Sequence, residues 1–163
     1  MSIWNPAITE TVYPFNPSLM AETTVLAYIS SSYAGTNLLD PQTQFYAGVA
    51  NDDVSGPAVV VACNGATEVV FQSRVYRFNL DVSCRMIAAD SQTSPNVTSS
   101  AMSLSGQVYA LFGDDQTACV QMNTLQTGLA SIQCQVLGYA NERIEDAWIS
   151  NLNLTLVAVP VAQ

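Results

Sequence analysis

From Arg74 to Ile87 the chain alternates polar and apolar residues almost without a break. Tyr76, Phe78, Leu80, Val82, Cys84 and Met86 hold one set of positions, and Arg77, Asn79, Asp81, Ser83 and Arg85 hold the other. Successive side chains of a strand point to opposite faces, so this period of two predicts one long strand over 74–87. Its even residues belong to a core and its odd ones face water or a partner. Such a strand spans about 45 Å, which is long for a small domain, and its far end is expected to project. Residues 58–63 are apolar without alternation, which predicts a strand covered on both faces. A shorter strand at 44–49 precedes it across the polar loop 51–57. Two strands close the chain. In 131–139, Ile132, Cys134 and Val136 alternate; in 146–159, Trp148, Leu152, Leu154, Leu156 and Ala158 recur on even positions, with Asn141-Glu142 as the polar turn region.

Helical spacing appears in three places. Asn16-Pro17 is a start signal, because Asn caps free amides and Pro at the first helical position lacks only an N–H without a partner. Leu19, Leu26, Ile29 and Tyr33 come next at helical intervals with Met20 beside them, and Gly35 ends the run. A second helix is predicted at 98–112, where Leu104, Val108, Leu111 and Phe112 share a face and Gly113 stops it. Asp114 then caps a short third helix through Met122. Residues 88–97 read as a polar loop. Residues 1–17, rich in Pro and aromatics without a period, read as an extended N-terminal arm, and 18–163 as a single domain. The order of elements predicts an α+β fold, a two-layer sandwich with a largely antiparallel sheet and helices on one face.

Composition sharpens this picture. Of 163 residues, 49% are hydrophobic and only 10% charged, so there is ample core but little charge to cover a monomer's surface. A surface of Ser, Thr, Asn and Gln points to partial covering by another protein, or to a polar uncharged surface that suffices alone. Thirteen acids face four arginines, with no lysine and a formal net charge of −9. Binding to nucleic acid or to anionic membranes needs cations that are almost missing here. Arg77 and Arg85 are left to pair with acids of the same chain or of a neighbouring subunit. No apolar run approaches the roughly 20 residues of a membrane helix, and the first residues lack the basic and apolar regions of a secretory signal.

Candidate chemistry is sparse. Without histidine there is no Ser-His-Asp or Cys-His system, and without lysine no Schiff base or phosphate-loop lysine. Cys63, Cys84, Cys119 and Cys134 are widely spaced and form no metal motif; they read as small core residues in a reducing compartment, with one disulfide as the alternative. Asn96 and Asn153 head glycosylation triplets of the kind that chance often yields. Asp52-Asp53, Asp114-Asp115 and Glu142 with Glu145-Asp146 leave only carboxylate chemistry. Paired acids hydrolyse glycosides when they face each other about 5–9 Å apart across a cleft, but acids in polar turns more often cap helices. The reading is therefore of a protein that is not an enzyme, with no catalytic, cofactor-binding or metal residues and no cofactor. Trp148 reads as a core anchor.

In order and pattern, about residues 38–160 resemble the tail terminator (tail completion) proteins of long-tailed bacteriophages. The carriers are the Pro57-led apolar strand, the amphipathic strand from Arg74 to Ile87, the loop at 88–97, the helix through Ala101 to Phe112, and a final strand from Trp148 to Leu156 after an acidic turn. The resemblance implies a structural virion protein of tail and neck, made in the host cytoplasm. It implies a homohexameric ring that ends the tail tube, meets tail-tube and neck or head-completion proteins, and lets DNA pass without specific binding. An acidic lumen would suit such a conduit, since repelled phosphates do not stick. The Pro-rich arm and the shortage of basic residues depart from the pattern. They keep open another neck, connector or tube protein, or a secreted adhesion-type binding module.

Overall fold

The computed structural model describes residues 16–32, 43–48, 57–70, 73–87, 104–144 and 147–161. Its elements are α1 (Pro17–Ser32), β1 (Gln44–Ala47), β2 (Ala58–Glu68), β3 (Tyr76–Ile87), α2 (104–111), α3 (Asp115–Thr124), β4 (Leu129–Ile144) and β5 (Ala147–Pro160). The strands form one sheet in the order β1-β2-β3-β5-β4. Of its pairings, β1–β2 is parallel and the others are antiparallel. The three described helices contribute to a single core on one sheet face, as the α+β pattern predicts.

The register of β3 obeys the alternation. Phe78, Leu80, Val82 and Cys84 are buried, while Arg77 and Asn79 are exposed. The strand begins at Tyr76, not at residue 74, because Arg74 has φ 60°, a left-handed conformation that breaks the pleat. β2 is covered on both faces at its start: Val59 and Val61 join the main core, while Ala58 and Val60 pack with Tyr46 on the other side. It continues to Glu68, five residues beyond its apolar run, because β3 keeps supplying a ladder that polar residues can join. A bulge between Cys63 and Gly65 interrupts that ladder. Glu22 of α1 accepts a 2.8 Å hydrogen bond from the Cys63 amide at the irregularity.

The first helix starts where the sequence puts it. Asn16 caps it, its side chain accepting from the Leu19 amide and its carbonyl from the Met20 amide. The buried face is different from the expected one. Ala21, Thr24, Val25, Tyr28 and Ile29 meet the core, Leu26 is half-buried, and Leu19 is 53% exposed. Small Ala21 and Thr24 let the helix lie close to the sheet, and Thr24 bonds Thr127 across 2.5 Å. Residues 104–111 are helical, with Leu104, Val108 and Phe112 buried. α3 carries the Asp114 cap and runs two residues past Met122.

β4 departs most from expectation. It spans Leu129–Ile144 and carries two irregularities, between Ser131 and Gln133 and between Val136 and Gly138. The first turns Ile132 outward, 57% exposed, while Ser131 and Cys134 are buried; strict alternation from Ile132 to Cys134 is therefore wrong. Asn141 and Glu142 are strand residues rather than a turn, because the ladder with β5 continues to the Ile144–Ala147 pair. The arm residues 1–15, Tyr33, Gly35, residues 51–56, the loop at 88–97 and helical positions 98–103 lie outside the described residues.

Candidate assembly surfaces

Among the described residues, three surfaces stand out once the core is accounted for. The first is the sheet face away from the helices. The register aligns Arg77, Asn79, Asp81 and Ser83 of β3 with Val157, Thr155, Asn153 and Asn151 of β5, and Gln133 and Gln135 of β4 lie beside Val157 and Thr155. Ser83 donates a short hydrogen bond to Asn151, and Asn64 donates one to Asp81. This is a field of amides and hydroxyls that no described helix covers. Among the described residues Arg77 and Arg85 pair with no acid of their own chain, and the Arg85 Nε is buried without an acceptor.

The second surface is the outer edge of β4. A free strand edge offers unpaired backbone groups to any other chain. α3 covers one part of it. The Asn123 amide accepts from Ser131 N at 2.6 Å and donates to Ser131 O at 3.1 Å, and Asp115 accepts from Cys134 N at 2.5 Å. Beyond Cys134 no described residue caps this edge. There Leu137, at the second irregularity, is 64% exposed and Tyr139 63%.

The third is a cleft of about 390 Å³ between α2 and the β4–β5 hairpin. Cys84, Val108 and Leu152 form its apolar floor, and Tyr109 and Tyr139 stand at its side. Those two rings meet edge to face, 5.7 Å apart at 73°. Ser150, itself only 4% exposed, also lines the cleft, and its hydroxyl has no hydrogen-bond partner among the described residues.

Asp114 and Asp115 make structural hydrogen bonds. Asp114 accepts from Gln116 N and from the Thr117 hydroxyl, and that hydroxyl chiefly holds its carboxyl below the usual range. Asp115 bonds the β4 edge and accepts a weak contact from Cys119 Sγ. Glu142 stands exposed on β4; Asp52, Asp53, Glu145 and Asp146 lie outside the described residues. All four cysteines are free thiols. Burial pushes Cys84, Cys119 and Cys134 up to about 12, with Asp115 adding to the last two. Burial likewise raises Tyr28, whose hydroxyl donates to Leu111 O at 2.7 Å and ties α1 to α2. Trp148 is half-buried, with its indole N–H unpaired among the described residues, so it anchors the core only in part. Among the described residues no cluster of His, Cys, Asp or Glu could hold a metal ion. No helix among them is long and apolar enough to cross a membrane. Sequence reasoning missed the capped edge and the cleft, since both depend on which strand ends up outermost.

No protein-family description and no curated protein sequence matches this chain. Its fold is shared with a chain of a solved structure described as the virion of a native gene transfer agent (GTA) particle. The TM-score is 0.52 and the identity 11%, and the match covers 88% of this chain and 98% of that one. At that identity the likeness establishes a common fold, one that occurs in a virion.

Proposed function

We propose that this chain is a structural subunit of a phage-type virion, a tail terminator-like protein whose copies form a ring that ends the tail tube and meets the neck. The observation that carries this reading is the near end-to-end fold correspondence with a virion chain. Three features of the molecule support it. A sheet face rich in amides and hydroxyls, a strand edge capped over only part of its length and exposed Leu137 and Tyr139 all suit contacts with protein neighbours. The acidic balance suits a conduit through which DNA slides, because repelled phosphates do not adhere. Under this reading the protein catalyses nothing and binds no cofactor. Its partners are further copies of itself, most simply six, the tail-tube protein and a neck or head-completion protein.

Mass photometry of the purified protein, alone and with tail-tube subunits from the same particle, tests the reading. A discrete ring that binds tube ends supports a terminator. A ring that incorporates along the tube, or that binds only neck protein, assigns the chain to another part of the same assembly.

A further inference from the structure

The outer strands of the sheet are β1 on one side and β4 on the other. In β1, Gln44 N donates to Pro57 O at 2.9 Å and Gly48 N donates to Val61 O at 2.7 Å. Every second residue of a strand bonds to the same side, so Gln44, Tyr46 and Gly48 turn toward β2. Phe45 and Ala47 turn their N–H and C=O groups outward. In β4 the capped part sets the count. Ser131 and Cys134 turn their amides away from β5, to Asn123 and Asp115, so the β5 residues opposite them, Ala158 and Leu156, are not the ones bonded to β4. The bonded ones are the alternate set, which includes Asn153 and Asn151, opposite Gly138 and Ala140. Tyr139 and Asn141 therefore turn their backbone groups outward. Among the described residues nothing caps either outward pair.

Strand direction and facing agree as well. Across the sheet β1, β2 and β5 run one way, and β3 and β4 run the other. A second copy set edge to edge, with its helices on the same side, therefore brings its β1 against β4 of the first in antiparallel sense. Phe45 packs toward the main core on the helix side, and Tyr139 and Asn141 line the cleft on that same side. Tyr46 packs with Ala58 and Val60 on the other face, so Gln44 shares that face by alternation. Glu142, next to Asn141, belongs to it too. Residues that would stand opposite one another thus already share a face.

We propose that the Phe45–Ala47 edge of one copy pairs antiparallel with the Tyr139–Asn141 edge of a second copy, continuing one sheet into the next. Phe45 stands opposite Asn141 and Ala47 opposite Tyr139, and residues opposed in this way exchange both backbone bonds. Gln44 then stands opposite Glu142. Gln44 Oε1 is taken by its own Tyr46 hydroxyl at 2.6 Å, which leaves its NH2 group to donate to the Glu142 carboxylate. β1 carries no charge, so the contact sets no like charges together in a chain of net charge −9. It joins two different edges, every copy has one of each, and repetition generates a ring when the rotation closes. The proposal rests on the self-assembling reading above and specifies the surfaces it would use.

A disulfide reads the contact and its register together. Gln44 and Glu142 are both exposed, and they would form a pair without backbone bonds, the closer kind at about 4.5 Å between Cα atoms, which a disulfide spans. Q44C/E142C, oxidised with copper–phenanthroline under the conditions where the wild type assembles, should run as linked multimers on a non-reducing gel, with neither single variant linked. E142C linked on its own would mean that β4 edges meet about a two-fold axis, which overturns the proposal. A47P and N141P each remove one outward N–H and leave the inner ladder its donors; urea unfolding first establishes that each still folds. Each alone is expected to stay monomeric by mass photometry. Mixed together they should give a 1:1 dimer and nothing larger, because one sound β1 edge and one sound β4 edge remain for a single contact. A wild-type ring whose Q44C/E142C form stays unlinked, or that persists in A47P and N141P, overturns this contact and leaves the ring reading standing. A wild type that is monomeric even with tube subunits overturns both.

Discussion

Asp115 shows how a residue that reads as a solvated acid does structural work. It occupies the first turn of α3, where a carboxylate meets free amides, and reaches across to the Cys134 amide on the sheet edge. Asn123, two turns later on the same helix, satisfies both backbone groups of Ser131. Asn123→Ala should therefore cost about 1–3 kcal/mol in urea unfolding, although its side chain is exposed; a loss under about 0.5 kcal/mol would show that water replaces it freely. The thiols act at the same scale. Cys84, Cys119 and Cys134 ionise near 12 in the folded chain, against about 8.5 when unfolded. Across that window the folded state holds protons that the unfolded state releases, so stability is full below about pH 8.5 and falls as pH rises toward 12. Thiol counting at pH 8 should find these three slow to react in the native protein, with four free thiols after denaturation. Two thiols protected after denaturation would mean a disulfide.

At the scale of elements, β3 makes the sharpest claim. Leu80→Asp buries a charge in the centre of the core and should cost on the order of 4 kcal/mol or more. Asn79→Asp, on the exposed face, should cost under about 0.5 kcal/mol. Equal losses would contradict the register. This strand was legible from sequence because both of its neighbours pair with it in order and its one irregularity falls on β2. β4 was not, since a residue inserted at an irregularity reverses the facing of the residues after it, and no local signal marks Ile132 or Leu137 as the inserted position. The end of β2 was hidden for a related reason: Gly65, Ala66 and Thr67 hold strand geometry through their ladder to β3, not through apolarity. α1 was legible in its start and misjudged in its face, because Ala21 and Thr24 carry little hydrophobic signal yet permit the closest approach. The cleft and the capped edge were illegible altogether, for both arise from a sheet order, β5 inside and β4 outside, that chain order does not reveal.

At the scale of the whole molecule, a chain of net charge −9 that assembles with its like, as proposed, does so against its own charge. Six copies around one axis repel one another over distances that salt screens, the Debye length being about 10 Å at 0.1 M. A ring should accordingly loosen at low ionic strength and tighten as salt is added. Sedimentation at 20 mM and at 300 mM salt (roughly 20 and 6 Å of Debye length) reads this directly; assembly that weakens with salt would mean that attraction between charges holds the ring. The central claim is that this fold serves self-assembly in a virion. The most direct measurement is the mass of the native particle formed by the pure protein, with and without tail-tube subunits. The expected result is a discrete closed oligomer, six copies in the terminator reading, that appears at the latest when tube protein is present. A strict monomer under both conditions would contradict it.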